Sequence, residues 1–357
     1  MSGQPDREAL LSVRDLVVEF AAPDGFHRAV DGVSFNLYPD EVLGVVGESG
    51  SGKSVTMLAV MGLLPPARAR VVGGEIWYRG RNLLTVPRKE FQALRGGDLS
   101  MIFQDPMTSL NPVRRVGSQI AEAIRLHRST LSRSQVRDRV VELLGVVGVP
   151  APERRYRQYP HEYSGGMRQR AMIAMAIANE PSVLIADEPT TALDVTIQAQ
   201  VLDVLAEARG RTGASVILIT HDLGLIAETA DRVAVMYGGR VMELTGVEEI
   251  FAAPRHPYTV GLLASLPKLD SSADVLYSIP GQPPGIRNRP SGCVFHPRCG
   301  MRQERVECVE RIPVLEPVGD PGSATPHSAA CHFVGETAEW RQRVSTDEVP
   351  AGNPVGG

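Results

Sequence analysis

The chain carries 37 basic and 41 acidic residues in 357, a formal net charge of −4. That balance excludes an electrostatic case for binding nucleic acid or an anionic membrane surface. Hydrophobic content of 43% and charged content of 22% suit a globular protein of two domains, or one large domain with an extension.

In chain order, the N-terminal MSGQPDREALLSV has no basic segment followed by an apolar one, so no signal peptide is expected. No apolar run is long enough to span a bilayer. Residues 13–20 (VRDLVVEF) and 33–37 (VSFNL) mix branched, aromatic and polar residues and predict strands of an antiparallel sheet. VLGVVG at 42–47 is an apolar run ending in Gly, as a buried parallel strand requires. VTMLAVMGLL follows as a helix that stops at Pro65-Pro66. Over 132–147, Ser132 and Gln135 make a capping box, and Val136, Val140, Leu143, Leu144 and Val147 form one apolar helical face. VLIAD (183–187), VILIT (216–220) and VAVMY (233–237) predict further buried strands, separated by helix-length segments such as 195–209. The alternation predicts an α/β domain with a mainly parallel sheet over residues 1–255. Prolines crowd 254–297, where regular structure should be short, and 336–357, ending VPAGNPVGG, is expected to be a disordered tail.

GESGSGKS at 47–54 fits G-x-x-x-x-G-K-[ST], between a predicted strand and a predicted helix. In such a loop, backbone N–H groups of Gly47, Glu48, Ser49, Gly50, Ser51, Gly52, Lys53, Ser54 and Val55 curl around phosphate oxygens at a helix N-terminus. Lys53 reaches the β- and γ-phosphates, and the Ser54 hydroxyl ligates Mg²⁺. VLIADE ends a strand in two acids: Asp187 to hold Mg²⁺ and Glu188 to polarise the attacking water. Ser164, Gly165 and Gly166 in YSGGMRQR open another helix whose N-terminus suits an anion.

An SGG helix, then strand and Asp-Glu, TTALD at 190–194 and ITHD at 219–222, with Gln104 in MIFQDP, is a fixed order. It resembles the nucleotide-binding subunit of ATP-binding cassette (ABC) transporters over about 245 residues. The resemblance implies an α/β P-loop cassette with a parallel sheet core, an antiparallel β subdomain and a helical subdomain at 105–165. It makes Gln104 the sensor of Mg²⁺ and water, and Ser164, Gly165 and Gly166 the signature for ATP held by an opposite subunit. It also makes Asp194 the acid that crosses the dimer and His221 the switch histidine on the γ-phosphate. Met167 stands where many members have Gln, and Phe20 and Phe26 both remain candidates to stack on adenine.

FQDPMTSLNP, HPYTVGLLASLP (256–267) and IPGQPP (279–284) resemble the oligopeptide/dipeptide importer branch. The resemblance then implies ATP hydrolysis with Mg²⁺ driving peptide import. Its partners would be a second, different ATPase chain, two polytopic permease subunits and an extracytoplasmic peptide-binding protein, with this chain peripheral on the cytoplasmic membrane face. Import of nickel or another small solute is the alternative. Soluble members in DNA repair or translation fit poorly, because there is one phosphate loop and no inserted coiled coil.

All four cysteines fall late, as Cys293-x5-Cys299-x8-Cys308-x22-Cys331. Four thiolates suit tetrahedral Zn²⁺, which His296 or His332 could join, or a [4Fe–4S] cluster. Four unrelated buried thiols are the bland alternative. The spacing alone does not decide; the resemblance implies the cluster, in a small C-terminal metal-binding domain over 256–335.

Overall fold

The computed structural model describes residues 8–105, 109–190, 195–266, 277–302, 305–319 and 326–346. The strands are β1 (Leu11–Ala22), β2 (Gly25–Leu37), β3 (Val42–Val46), β4 (Ala69–Tyr78), β5 (Arg81–Asn82), β6 (Leu99–Ile102), β7 (Val183–Asp187), β8 (Ser215–Ile219), β9 (Arg232–Tyr237), β10 (Arg240–Gly246), β11 (Glu316–Pro317) and β12 (Ser328–Ala329). The helices are α1 (Lys53–Val60), α2 (Arg88–Leu94), α3 (Val116–His127), α4 (Arg133–Val146), α5 (Pro152–Arg155), α6 (Gly165–Ala176), α7 (Val195–Thr212), α8 (Leu223–Thr229), α9 (Val247–Ala252), α10 (Pro257–Ala264), α11 (Val306–Glu310) and α12 (Thr337–Ser345). Among the described residues no helix is long and apolar enough to cross a membrane.

The chain divides into two compact units, each discontinuous in sequence. The first takes in Met1–Leu11, Leu37–Val42 and Trp77–Ile219. Its centre is three parallel strands in register, Leu99↔Val183 to Ile102↔Ala186 and Val183↔Ser215 to Asp187↔Ile219. Every residue of β6, β7 and β8 is buried, so these strands are mostly apolar on both faces rather than in alternation, with Ser100, Asp187 and Ser215 as their buried polar positions. The helices α3 and α4 pack on each other and on α6. The α4 helix starts as its sequence predicts: the Gln135 N–H donates to Ser132 Oγ at 3.3 Å, and the Ser132 N–H donates to Gln135 Oε1 at 2.8 Å. Val136, Val140, Leu143 and Leu144 are its buried face, and Gly148, at φ 69°, lies just beyond it.

The second unit takes in Ser12–Asn36, Leu43–Ile76 and Thr220–Gly357. Strands β2, β1 and β4 lie side by side in that order. The strand β3 pairs in parallel with β9, and β9 pairs antiparallel with β10 across a register shift between Val241 and Glu243. The proline-rich extension then adds two short antiparallel strands to that edge, through Glu243↔Ala329 and Glu316↔Ala329. Glu243 is fully buried. Its carboxylate accepts from the N–H groups of Arg255 (2.6 Å) and His256 (2.9 Å) and contacts His327 Nε2 at 2.7 Å. A buried carboxylate without such partners would cost several kcal/mol; here it joins β10, the start of α10 and the approach to β12.

Two expectations are corrected. The helix after the phosphate loop begins at Lys53 and ends at Val60, short of Pro65-Pro66, because Gly62 turns the chain at φ 59°. The tail is ordered through Thr337–Ser345 as α12. Thr337, Trp340 and Val344 fall on one helical face and are buried, and Trp340 and Val344 pack with Val260 and Met301. Packing is so close at Gly300 that an added Cβ would lie 2.3 Å from Trp340 Cη2. Trp340→Ala should therefore destabilise the protein by about 3–5 kcal/mol, read as an earlier thermal or denaturant transition; a change under about 0.5 kcal/mol would mean that the helix is not part of the core.

Candidate functional site

The second unit delivers the phosphate loop. The strand β3 is buried at all five residues, and the chain leaves it at Gly47, φ 148°. A Cβ there would lie 2.0 Å from the Met236 carbonyl oxygen, so only glycine fits under β9. Gly50 and Gly52 also take positive φ, 78° and 98°, and a Cβ on Gly52 would touch the Ala29 carbonyl at 3.0 Å. The Gly239 N–H donates to Ser51 O at 2.9 Å, fastening the loop to the β9–β10 turn. Lys53 is buried, and its ammonium donates to Gly47 O (2.7 Å), Glu48 O (3.0 Å) and Ser51 Oγ (3.4 Å). Ser49 and Gly50 are exposed at the loop tip, while Ser54 and Val55 are half-buried on the first turn of α1.

His221 belongs to the same unit. The N–H of Thr220 donates to Val45 O at 3.2 Å, which sets His221 at the end of the strand that carries the loop. His221 is exposed, and Asp222 beside it caps α8 by accepting from the Leu225 N–H at 3.2 Å. Of the two aromatic candidates, Phe26 is 48% exposed and already carries the Arg70 guanidinium 3.7 Å over its ring, whereas Phe20 is half-buried in β1.

The first unit holds the acids. Asp187 is the buried last residue of β7. Glu188 then adopts φ 46°, an unusual left-handed conformation for a glutamate, held by its N–H donating to Ile219 O at 3.0 Å. The turn aims its carboxylate at Gln104, whose amide donates to Glu188 Oε2 at 2.8 Å. Two residues 84 positions apart and singled out by motif alone thus meet. Ser164 is the N-cap of α6, its hydroxyl accepting from the Met167 N–H at 3.3 Å, and Ser164 and Gly165 are exposed. Gln169 on this helix is buried and donates to Pro189 O at 2.7 Å, wiring the signature helix to the residue after Glu188. Gln169 lies within the YSGGMRQR motif, but nothing in its spacing marks that contact. Asp194 lies outside the described residues.

In the second unit the four cysteines line one small cavity of about 20 Å³ together with His256, His296, Met301, His332 and Phe333. All four are free thiols. The Cys293 N–H donates to Cys308 O at 2.9 Å, which ties the first cysteine to the third. Burial pushes Cys293 up to about 11 and Cys299 and Cys331 up to about 12, and neighbouring cysteines push the same way. Burial raises Cys308 as well. His256 is held neutral, its pKa lowered to about 3 by burial, and its Nδ1 accepts the Tyr258 N–H at 3.1 Å. Among the described residues no three Cys, His, Asp or Glu side chains converge on a single-ion site. The side chains as placed therefore do not by themselves show a metal-binding domain.

The comparisons with known proteins agree with these motifs. Residues 30–191 match the ABC transporter family, and residues 242–308 match the family described as oligopeptide/dipeptide transporter, C-terminal region. The dipeptide transport ATP-binding protein DppD of Bacillus subtilis is 49% identical over 332 residues, 93% of this chain and 97% of that one. The oligopeptide transport ATP-binding protein OppD of Escherichia coli is 49% identical over 301 residues, 84% of this chain and 88% of that one. Among solved structures, the dimeric ATP-binding cassette MJ0796 bound to ADP and Pi superposes with a TM-score of 0.59 at 26% identity, covering 66% of this chain and 98% of that one. With both family models matched and relatives about half identical along most of its length, the chain belongs to the family of ATP-binding subunits of oligopeptide/dipeptide ABC transporters.

Proposed function

We propose that this chain hydrolyses ATP to drive the import of peptides through separate membrane subunits. The observation that carries the chemistry is the Gln104 amide donating to the Glu188 carboxylate at 2.8 Å. In this reading Glu188 accepts a proton from the attacking water, and Gln104 orients the carboxylate and water. Gly47, Glu48, Ser49, Gly50, Ser51, Gly52, Ser54 and Val55 present backbone N–H groups to the phosphates, and Lys53 exchanges its loop carbonyls for phosphate oxygens. Ser54, Gln104 and Asp187 would hold Mg²⁺: a hydroxyl, an amide and a buried carboxylate are the oxygen donors a hard cation takes, and its charge would offset that developing on the phosphates. His221 contacts the γ-phosphate. The exposed Ser164 and Gly165, the half-buried Gly166, and Asp194 serve ATP held by a second ATPase, so each site is composite.

Peptide as cargo is supported by the dipeptide and oligopeptide transport proteins that this chain resembles along most of its length. Those names favour peptides over nickel and over a soluble role in repair or translation. Two permease subunits, an extracytoplasmic binding protein and a different second ATPase complete the complex, with this chain on the cytoplasmic membrane face. For the four cysteines, the donor set of free thiols in one cavity walled by Met301 and Phe333 fits a [4Fe–4S] cluster, held by Cys293, Cys299, Cys308 and Cys331. When bound, the cluster would supply cross-linking free energy to a segment with little core of its own. The raised thiols would give up their protons to bind it.

Glu188→Gln should retain ATP binding but lose about 10²–10⁴-fold in turnover, measured as phosphate release by the assembled complex; wild-type turnover would remove Glu188 from the role of base. Protein purified without air should be brown with about four iron atoms per chain. Colourless protein with one zinc, or with no metal and full stability, would contradict the cluster.

A further inference from the structure

The second residue of the phosphate loop and the cysteine segment meet through a partly buried ion pair. Arg298 Nη1 donates to Glu48 Oε2 at 2.7 Å, across 250 residues of sequence. The same nitrogen donates to the Tyr237 hydroxyl at 3.2 Å, Nε donates to Pro280 O at 2.8 Å, and Nη2 donates to Ile279 O at 3.3 Å. Arg298 is buried, with its guanidinium 5.7 Å from the centre of the Tyr237 ring. Glu48 is held from a second side, because its N–H donates to the Tyr258 hydroxyl at 2.9 Å. Tyr237, Tyr258 and Phe295 pack with ring centres 4.6–5.3 Å apart, so the partners of Glu48 are themselves fixed.

We propose that Arg298 is a positioning residue for the nucleotide site: it fixes Glu48, and through it the phosphate loop, and it neutralises a carboxylate that would otherwise face the phosphates. Glu48 is the one acidic residue in GESGSGKS. Its main-chain carbonyl accepts the Lys53 ammonium at 3.0 Å, so a shift of Glu48 also moves that lysine's resting place. A carboxylate freed a few ångströms from a triphosphate would repel it in a partly buried setting, where charges are weakly screened. Arginine suits the role because its planar fork can reach two carbonyls, a hydroxyl and a carboxylate at once. Arg298 ends the short turn His296–Arg298, and Cys299 follows directly. The turn is closed by the His296 N–H donating to Cys293 O at 2.9 Å. The cysteine cavity is therefore linked to the phosphate loop through Arg298, beside the ring contacts of Phe295 and Tyr258, which gives the extension a part in nucleotide binding beyond its own stability.

The inference rests on the ATPase reading only in using ATP as probe, and ATP binding by the wild-type protein is the control that separates the two. In the full-length protein, Arg298→Met should weaken ATP binding about tenfold, the coupling typical of a partly desolvated charge pair, raising KM while kcat stays within about twofold. Adding Glu48→Gln should restore most of that loss, because the uncompensated charge is gone. A loss of affinity that the double variant does not recover, or no loss at all, overturns the proposal. If Arg298→Met does not fold, Glu48→Ala decides. It releases the same pair from the loop side, and amide exchange over 47–54 should quicken several-fold with or without ATP; unchanged exchange overturns the tether.

Discussion

The close approach of Gly47 to the Met236 carbonyl governs how the nucleotide loop leaves the sheet. A Cβ at Gly47 would sit 2.0 Å from that oxygen, far inside van der Waals contact. The parallel pairing of β3 with β9, Val46↔Val235, brings the two backbones to that spot. The chain can turn there only at φ 148°, which side chains do not tolerate. Everything downstream follows from the turn: Lys53 folds back over Gly47 O and Glu48 O, Gly52 packs close to the Ala29 carbonyl, and α1 starts with its N-terminal end beside the loop.

Polar groups buried at fixed points then attach the extension to this framework. Glu243, fully buried, gathers two backbone N–H groups and His327. Neutral His256 caps α10, and Tyr258 on that helix reaches Glu48. A proline-rich segment with short elements has little apolar area to bury, so its place is set by such contacts and by the small cluster around Trp340. Asp31 follows the same logic: Arg28, Arg240 and Arg289 surround it, and the arginines hold its carboxyl below the usual range against the opposing effect of burial.

What the sequence made legible was local. The phosphate loop, the capping box at Ser132, the apolar strands β7, β8 and β9 and the SGG helix start each occupy a few consecutive residues, and each appears where its pattern places it. The left-handed turn at Glu188, the Gln169 contact with Pro189 O and the Arg298–Glu48 pair depend on residues brought together by the fold, and no spacing rule encodes them. The helix α12 was masked by polar composition, although Thr337, Trp340 and Val344 already fall on one helical face. Short strands such as β5, β11 and β12 carry too few residues for any period, and exist because a neighbouring strand pairs with them.

The account makes Gly47 the residue on which nucleotide binding turns. The most direct measurement is equilibrium binding of ATP to a Gly47→Ala variant whose circular dichroism and melting show a folded chain. A loss of affinity of about a hundredfold or more is the predicted result, since the loop could not keep its path under Met236 without backbone strain. Affinity within about threefold of wild type would contradict it, and would mean that the phosphates are bound by some other path of the chain.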